Sequence, residues 1–369
     1  MRRSKSMTRL RMAVIGVGHL GKEHARILSS MPDVELVGVA DVNEDQAQAV
    51  AQRHQTRSYG DYWPLLNQVD AACIVVPTIY HLEVAKDLIE RQISVLIEKP
   101  MAASLVEAEQ IHSLAQTHNV VLQVGHIEAF NPAFEELMQR PLRPKFIQAE
   151  RVGTFTGRST DIGIVHDLMI HDLDILLRLV KSPVRHVEGV GVSIFGGHED
   201  VANARLHFSN GCVAELTASR ASPNASRKMH IWAAEGFAKV DYAKRQLTMI
   251  QPSEQVRDNG LDPMTMDSLS VARLKEDLFT RHLQTYHLDC NHTDQLTCEL
   301  KDFVHSVTTG ESPRVTGDDG LSAMALADRI LEKIRTHRWE GISEGPTGPN
   351  QLPAPVGKLF KPVSGEAAA

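Results

Sequence analysis

Residues Arg11-Met12-Ala13-Val14-Ile15-Gly16-Val17-Gly18-His19-Leu20-Gly21 decide how the first part of this chain is read. An apolar strand, Arg11–Ile15, runs into a GxGxxG turn, and a helical stretch, His19–Ser30, follows. A lone GxGxxG carries little weight, but between a strand and a helix it is a dinucleotide fingerprint. The first glycine makes the tight turn, the second lets the backbone approach a pyrophosphate, and the third lets helix pack on strand. The amides at the helix start then face the phosphates. The expected contacts are Gly16, Gly18, His19, Leu20 and Gly21. Asp41 ends the second strand about 20 residues after Gly21, where a carboxylate accepts from ribose hydroxyls. No arginine follows until Arg53, so a ribose 2′-phosphate would meet Asp41 without a guanidinium. The expected cofactor is therefore NAD, with NADP disfavoured.

The alternation continues outward from this turn. Val34–Ala40, Ala72–Val76, Ser94–Ile97 and Val120–Val124 read as strands, with helices at Glu44–His54, His81–Arg91 and Leu105–His118. Apolar runs alternating with helices predict a parallel sheet covered on both faces, an α/β Rossmann domain over 11–127. From about residue 145 strands follow one another without helices: Lys145–Phe155, Val184–Phe195, Val201–Phe208, Cys212–Ser219, Lys228–Ala234 and Ala238–Tyr242. Ser209-Asn210-Gly211 signals a hairpin between two of them, and Glu235-Gly236 a weaker one. A second domain, 128–341, with an antiparallel sheet is expected, and a helix over Val165–Val180 should pack on that sheet. Residues 253–275 read as a loop, while Cys290–Thr308 and Gly320–His337 read as helices. Residues 1–10 are expected to be a flexible lead-in, and 342–369, rich in Pro, Gly and Ala, a disordered tail.

Composition narrows the classes of function. The chain has 369 residues, 42% of them hydrophobic, and a net charge of -7. It is long enough for about two domains, and its mild acidity argues against nucleic acid as a partner. No apolar run reaches the roughly 18 residues of a membrane span. Arg2-Arg3 could suggest an export signal, but the apolar run that follows, Met12-Ala13-Val14-Ile15-Gly16-Val17-Gly18, is better explained as the first strand and glycine turn, so export is not expected. Four scattered cysteines do not make a disulfide framework, so a reducing, cytoplasmic setting is expected.

The carboxyl ends of the other strands line the same crevice as the glycine turn. One ends in Val76-Pro77-Thr78-Ile79-Tyr80-His81 and another in Glu98-Lys99-Pro100, with Lys99 where a nicotinamide should lie. Pro77, Thr78, His81, Glu98 and Lys99 are expected at the cofactor. His282, His287, Cys290, His292, Asp294 and Cys298 crowd together but lack the tight CxxC pair of common zinc sites, so no metal is expected.

These motifs, in this order, resemble the Gfo/Idh/MocA oxidoreductases. The resemblance rests on GxGxxG followed by His24, Pro77-Thr78-Ile79-Tyr80-His81, Glu98-Lys99-Pro100 and Asp167-Leu168-Met169-Ile170-His171, and spans roughly residues 11–337. It implies a Rossmann domain plus an α+β domain with an open, mostly antiparallel sheet, bound NAD(P), a sugar or cyclitol substrate, and a homodimer or homotetramer formed through the outer sheet face. A cis Lys99-Pro100 bond is also implied. Gly125-His126-Ile127-Glu128-Ala129-Phe130-Asn131-Pro132, Asp161 through Asp172, Ala202 through Leu206 and Ala218-Ser219-Arg220 resemble a subgroup, the bacterial UDP-N-acetylglucosamine 3-dehydrogenases. That likeness implies oxidation of the C3 hydroxyl of a UDP-sugar for lipid A precursor synthesis, with an aminotransferase acting next. Ala129 departs from the subgroup, where an arginine is expected. A free sugar or inositol dehydrogenase, or an NAD-binding sensor without turnover, are the alternatives.

Alcohol oxidation needs a hydride acceptor and a base, and the cofactor supplies the first. Asp167, His171 and Asp174 fall at i, i+4 and i+7 of the expected helix and share a face. Imidazole suits proton transfer near neutrality, and a lysine can stabilise alkoxide character. With the resemblance, His171 is the expected general base, assisted or replaced by Lys99, and Asp167 binds or orients substrate hydroxyls. Asp174 has either a catalytic or a structural role. Arg158 and Arg220 are candidates for a substrate diphosphate, because a guanidinium suits phosphate geometry.

Overall fold

In the computed structural model of the chain, residues 9–157, 162–195, 197–290, 294–339 and 348 are described. The chain divides into two units, Met1–Phe130 with Thr293–Leu326 and Asn131–His292 with Ala327–Ala369. Nearly all of the lead-in and tail expected at 1–10 and 342–369 lies outside the described residues; Leu10 already belongs to the first strand.

The first unit begins β1 (Leu10–Ile15), α1 (Gly21–Ser30), β2 (Val34–Ala40), α2 (Glu44–His54), β3 (Arg57–Tyr59), β4 (Ala71–Ile74), α3 (His81–Ile89), β5 (Ser94–Glu98), α4 (Leu105–His118) and β6 (Leu122–Gly125). The sheet order is β3-β2-β1-β4-β5-β6 and every pairing is parallel. The order reverses between β1 and β4, the switch point outside which ligands bind in such sheets. All of β4 and β5 up to Ile97 is buried, as a sheet covered on both faces requires.

The second unit contains α5 (Pro132–Met138), β7 (Pro144–Val152), α6 (Ile170–Val180), β8 (Val184–Val192), β9 (Val201–Phe208), β10 (Val213–Ser219), β11 (Ser226–Ala233), β12 (Gly236–Asp241), β13 (Gln246–Pro252), α7 (Glu254–Asn259), α8 (Ser268–Asp277) and β14 (Leu283–Asp289). Its sheet runs β14-β13-β12-β11-β7-β10-β9-β8, antiparallel except between β7 and β10. Burial alternates along β9, β10 and β12, the period-2 signature of a sheet with one covered face. Ile147, Ala149, Leu216, Met229 and Ile231 lie on the covered face.

Two expectations change. Residues 253–275 are not a plain loop, because they hold α7 and most of α8. Both helices start at side-chain caps, with Ser253 accepting from the Val256 N–H and Asp267 from the Ser270 N–H. Neither buries a single side chain, so no apolar stripe marked them as helical. Nor is the domain boundary a single cut at 127/128. After β14 the chain forms α9 (Gln295–Thr309) and α10 (Gly317–Thr336). Segment 293–326 returns to the first unit because α9 gives Leu296, Leu300, Phe303 and Val304 to the core that holds Met12, Val14, Cys73 and Leu96.

All four cysteines are free thiols. Among the described residues no helix is long and apolar enough to cross a membrane, and no group of three or more potential metal ligands converges.

Candidate active site

The glycine turn has the expected shape. Gly16 takes φ +85°, where a Cβ would press on the Val75 carbonyl oxygen at 2.5 Å, and a Cβ on Gly21 would collide with the Gly16 carbonyl. Around Gly18 nothing lies within 4 Å of a Cβ position, so the backbone is open to a pyrophosphate. Leu20 precedes α1 without a side-chain cap, so no hydroxyl competes with a phosphate at the helix start, although the Lys22 and Glu23 N–H groups already donate to the Gly18 and Leu20 carbonyls at 3.3 and 2.8 Å. His19 and Leu20 are exposed beside them. Gly18→Ala should leave the melting temperature unchanged and weaken NAD binding by about tenfold or more. Gly21→Ala should instead cost about 1–3 kcal/mol of stability through overpacking. Thermal melts beside NAD titrations separate the two effects.

Asp41 faces the same turn. Its Oδ2 accepts the Val17 N–H at 2.8 Å and Gln46 Nε2 at 3.1 Å, and its Oδ1 accepts the Asn43 N–H at 2.9 Å. A carboxylate offers about four acceptor sites, so capacity remains for a ribose hydroxyl. Arg53 lies in the last turn of α2, about 14 Å along the helix from its start. No guanidinium of that helix therefore reaches a 2′-phosphate at Asp41, and the residues fit NAD.

Lys99 is half-buried and follows Glu98, whose side chain is 12% exposed. Glu98 accepts from His24 Nε2 at 3.0 Å and from the Lys99 N–H at 3.3 Å. The Lys99–Pro100 peptide is cis. His81 ties this loop to the end of β4: its Nδ1 lies 3.1 Å from the Pro100 carbonyl and its Nε2 3.0 Å from that of Val76. Burial lowers the His81 pKa against the pull of those carbonyls. Thr78 is buried in the short turn Thr78–Tyr80, and Pro77 before it is exposed. Ala129, where an arginine was expected, is buried, yet Arg314 stands over this segment. Its guanidinium lies 4.7 Å from the Phe130 ring centre, and Nη1 donates to the Ala129 carbonyl at 3.4 Å.

In the second unit the expected single helix over Val165–Val180 has two parts. Val165–Met169 is a π-helical turn and α6 continues from Ile170. Asp167 lies half-buried in the π turn, and His171 is buried in the first turn of α6. Such turns often mark functional sites. Asp174 is spent on Arg178, with both oxygens 2.9 Å from Nε, so its role is structural. Glu199 braces the entrance of the π turn, its Oε1 accepting the Val165 N–H at 3.1 Å and its carbonyl the Ile164 N–H at 2.9 Å.

The diphosphate role expected for Arg220 does not fit the structure. The residue is 7% exposed, and its guanidinium lies 3.2 Å from Asp200 and donates to the Ile162 carbonyl at 2.7 Å. A guanidinium held inward by a buried carboxylate braces the start of the π turn instead. Arg158 lies outside the described residues. Glu199 and Asp200 are the participants that the sequence did not disclose: Glu199 acts on Val165, 34 residues away, and Asp200 acts through Arg220, which reaches the Ile162 carbonyl.

Comparison with known proteins shows the family and the fold. A family model described as an oxidoreductase family with an NAD-binding Rossmann fold matches residues 10–126, and a Gfo/Idh/MocA C-terminal domain model matches residues 138–239. The chain is 36% identical to the UDP-N-acetylglucosamine 3-dehydrogenase of Acidithiobacillus ferrooxidans over 72% of its own length and 87% of that protein. A solved structure of that enzyme superposes with a TM-score of 0.77 at 31% identity, covering 89% of this chain and 98% of the other. The scyllo-inositol 2-dehydrogenase (NAD(+)) of Bacillus subtilis is 26% identical over 88% of this chain and 94% of its own.

Proposed function

This chain belongs to the Gfo/Idh/MocA family of NAD-binding oxidoreductases and acts on sugar hydroxyls, and from that premise we propose that its substrate is a UDP-sugar. The reaction is oxidation of the C3 hydroxyl of UDP-N-acetylglucosamine to the 3-keto sugar, in lipid A precursor synthesis. An aminotransferase would consume the product. The observation that carries this reading is the 36% identity to a UDP-N-acetylglucosamine 3-dehydrogenase, against 26% to an inositol dehydrogenase.

NAD supplies the hydride acceptor. Gly16 through Gly21 would hold its pyrophosphate and Asp41 its ribose. Lys99 donates a hydrogen bond to the reacting oxygen and stabilises alkoxide character as hydride leaves. His171 takes the hydroxyl proton. Asp167 orients the neighbouring hydroxyls. The test is absorbance at the NADH band with NAD and, separately, UDP-N-acetylglucosamine, free N-acetylglucosamine and myo-inositol. A carbonyl trap or aminotransferase draws the oxidation forward. NADH from the UDP-sugar alone is expected; NADH from a free polyol would transfer the protein to the inositol dehydrogenases.

The same reading includes a homo-oligomer built on the outer face of the second sheet. Phe146, Trp232 and Phe237 are register neighbours on β7, β11 and β12, with ring centres 5.2 and 5.3 Å apart. Trp232 is 38% exposed. An aromatic cluster on an uncovered sheet face marks an interaction surface. Trp232→Glu should lower the mass measured by sedimentation equilibrium to that of one chain. A wild-type protein already of that mass would remove the oligomer.

A further inference from the structure

A buried carboxyl lies behind Lys99 that the chemistry above does not use. Glu299, on α9, has no exposed surface, and neither of its oxygens has a hydrogen-bond donor. An ionised carboxylate in that setting is strongly disfavoured and takes up a proton instead. Burial first, then the charges of Glu98 and Asp302, push it well above the usual carboxylate range.

The sheet explains the neighbourhood. Cys73, Leu96 and Gln123 are register partners on β4, β5 and β6, so their side chains point to one face. Helix α9 covers that face. Its Leu300 and Phe303 belong to the core that holds Cys73 and Leu96, and Gln123 Nε2 donates to the Glu299 carbonyl at 3.1 Å. Glu98 is two residues beyond Leu96, hence on the same face, and pairs with Gly125. A Cβ at position 125 would stand 3.0 Å from Glu98 Oε2, so the glycine makes room for the carboxylate. Burial raises the Glu98 pKa, but the hydrogen bond and charge of His24 and the charge of Lys99 outweigh it, and Glu98 stays ionised.

We propose that Glu299 is a positioning residue acting through Glu98: kept neutral as a carboxylic acid on the face they share, it leaves Glu98 the one ionised carboxylate there, free to hold the Lys99 backbone. The cluster then carries a single negative charge, on Glu98, between His24 from α1 and the neutral Glu299 from α9. The other titratable groups facing it are Cys73 from β4, Lys99 beside Glu98, His81 from α3 and Asp302 from α9. The positioning role rests on Lys99 meeting the reacting oxygen, but the protonation does not depend on which sugar is oxidised.

Infrared spectra of the full-length protein, with and without NAD, test the protonation. At about pH 8, where ordinary Asp and Glu are ionised, the wild type should show the carbonyl stretch of a protonated carboxyl, and Glu299→Gln should remove it. Melting temperatures add a second readout. Above the usual carboxylate range the folded protein keeps a proton that the unfolded chain releases, so wild-type stability declines as pH rises toward the folded pKa. The neutral Gln variant lacks that slope, and its advantage over the wild type should grow between about pH 5 and pH 8. Glu299→Gln should keep kcat within about threefold, whereas Glu299→Ala should lower kcat at least about tenfold with NAD affinity retained. Where the alanine variant does not fold, the Gln spectra and melts decide alone. Absence of the carboxyl band, its survival in Glu299→Gln, a pH-independent stability difference, or a folded alanine variant with wild-type kcat overturns the proposal. A wild type inactive on every sugar would remove the substrate assignment and leave the infrared result standing.

Discussion

Lys99→Ala is expected to lower kcat by about a hundred- to ten-thousandfold, the range for losing a hydrogen-bond donor to a developing oxyanion or a proton-transfer group. The Kd for NAD should stay within about threefold, because on this account the glycine turn and Asp41 would carry the pyrophosphate and ribose contacts. The asymmetry comes from how the lysine is mounted. Its backbone N–H is held by Glu98, which is held by His24, and the loop beyond it is tied by His81 to the end of β4. A side chain mounted so firmly contributes by position. Steady-state kinetics beside a fluorescence titration with NADH measure both quantities. A variant with near wild-type kcat would take Lys99 out of the chemistry and leave the proton to His171 alone.

The second large effect is on stability. Arg151 on β7 and Asp172 on α6 form a buried bidentate pair, with Nε at 3.1 Å and Nη2 at 2.9 Å. The side chains are 2% and 4% exposed. Arg151→Met should destabilise the second unit by about 3–5 kcal/mol, because it strands a buried carboxylate. Pairing it with Asp172→Leu should restore most of that loss, since an apolar pair carries no desolvation cost. Urea unfolding followed by tryptophan fluorescence reads this directly, because Trp232 is on β11, the strand beside β7. If the single and double variants unfold at the same urea concentration, the stranded charge is not the cause. The pair also fixes α6, the helix that carries His171, on the sheet.

What the sequence disclosed was mostly local. The strand, GxGxxG and helix around Gly16 follow one another within about 20 residues, so their meaning was legible from spacing, as was the cofactor preference at Asp41. The hairpin at Asn210-Gly211 was legible for the same reason, because the turn chemistry lies in the turn. Helices α7 and α8 were not, because they bury nothing and so show no apolar period. Return of α9 to the first unit was hidden as well. An amphipathic helix shows which of its faces is apolar but not which core that face will join. Arg220 was misread for a related reason: a guanidinium suits a phosphate and a carboxylate equally, and Asp200 takes it in the fold. Glu299 reads in the sequence as an ordinary helical acid; only burial over Gln123 and near Glu98 makes it unusual.

The most direct measurement follows one hydrogen. UDP-N-acetylglucosamine carrying deuterium at C3 is incubated with the protein, NAD and a trap for the keto sugar, and the NADH is weighed by mass spectrometry. Deuterated NADH from that substrate, and unlabelled NADH when the deuterium is at C4, is the expected pair of results. Unlabelled NADH from the C3-deuterated sugar, or no NADH beside turnover of myo-inositol, would contradict oxidation at C3 of a UDP-sugar.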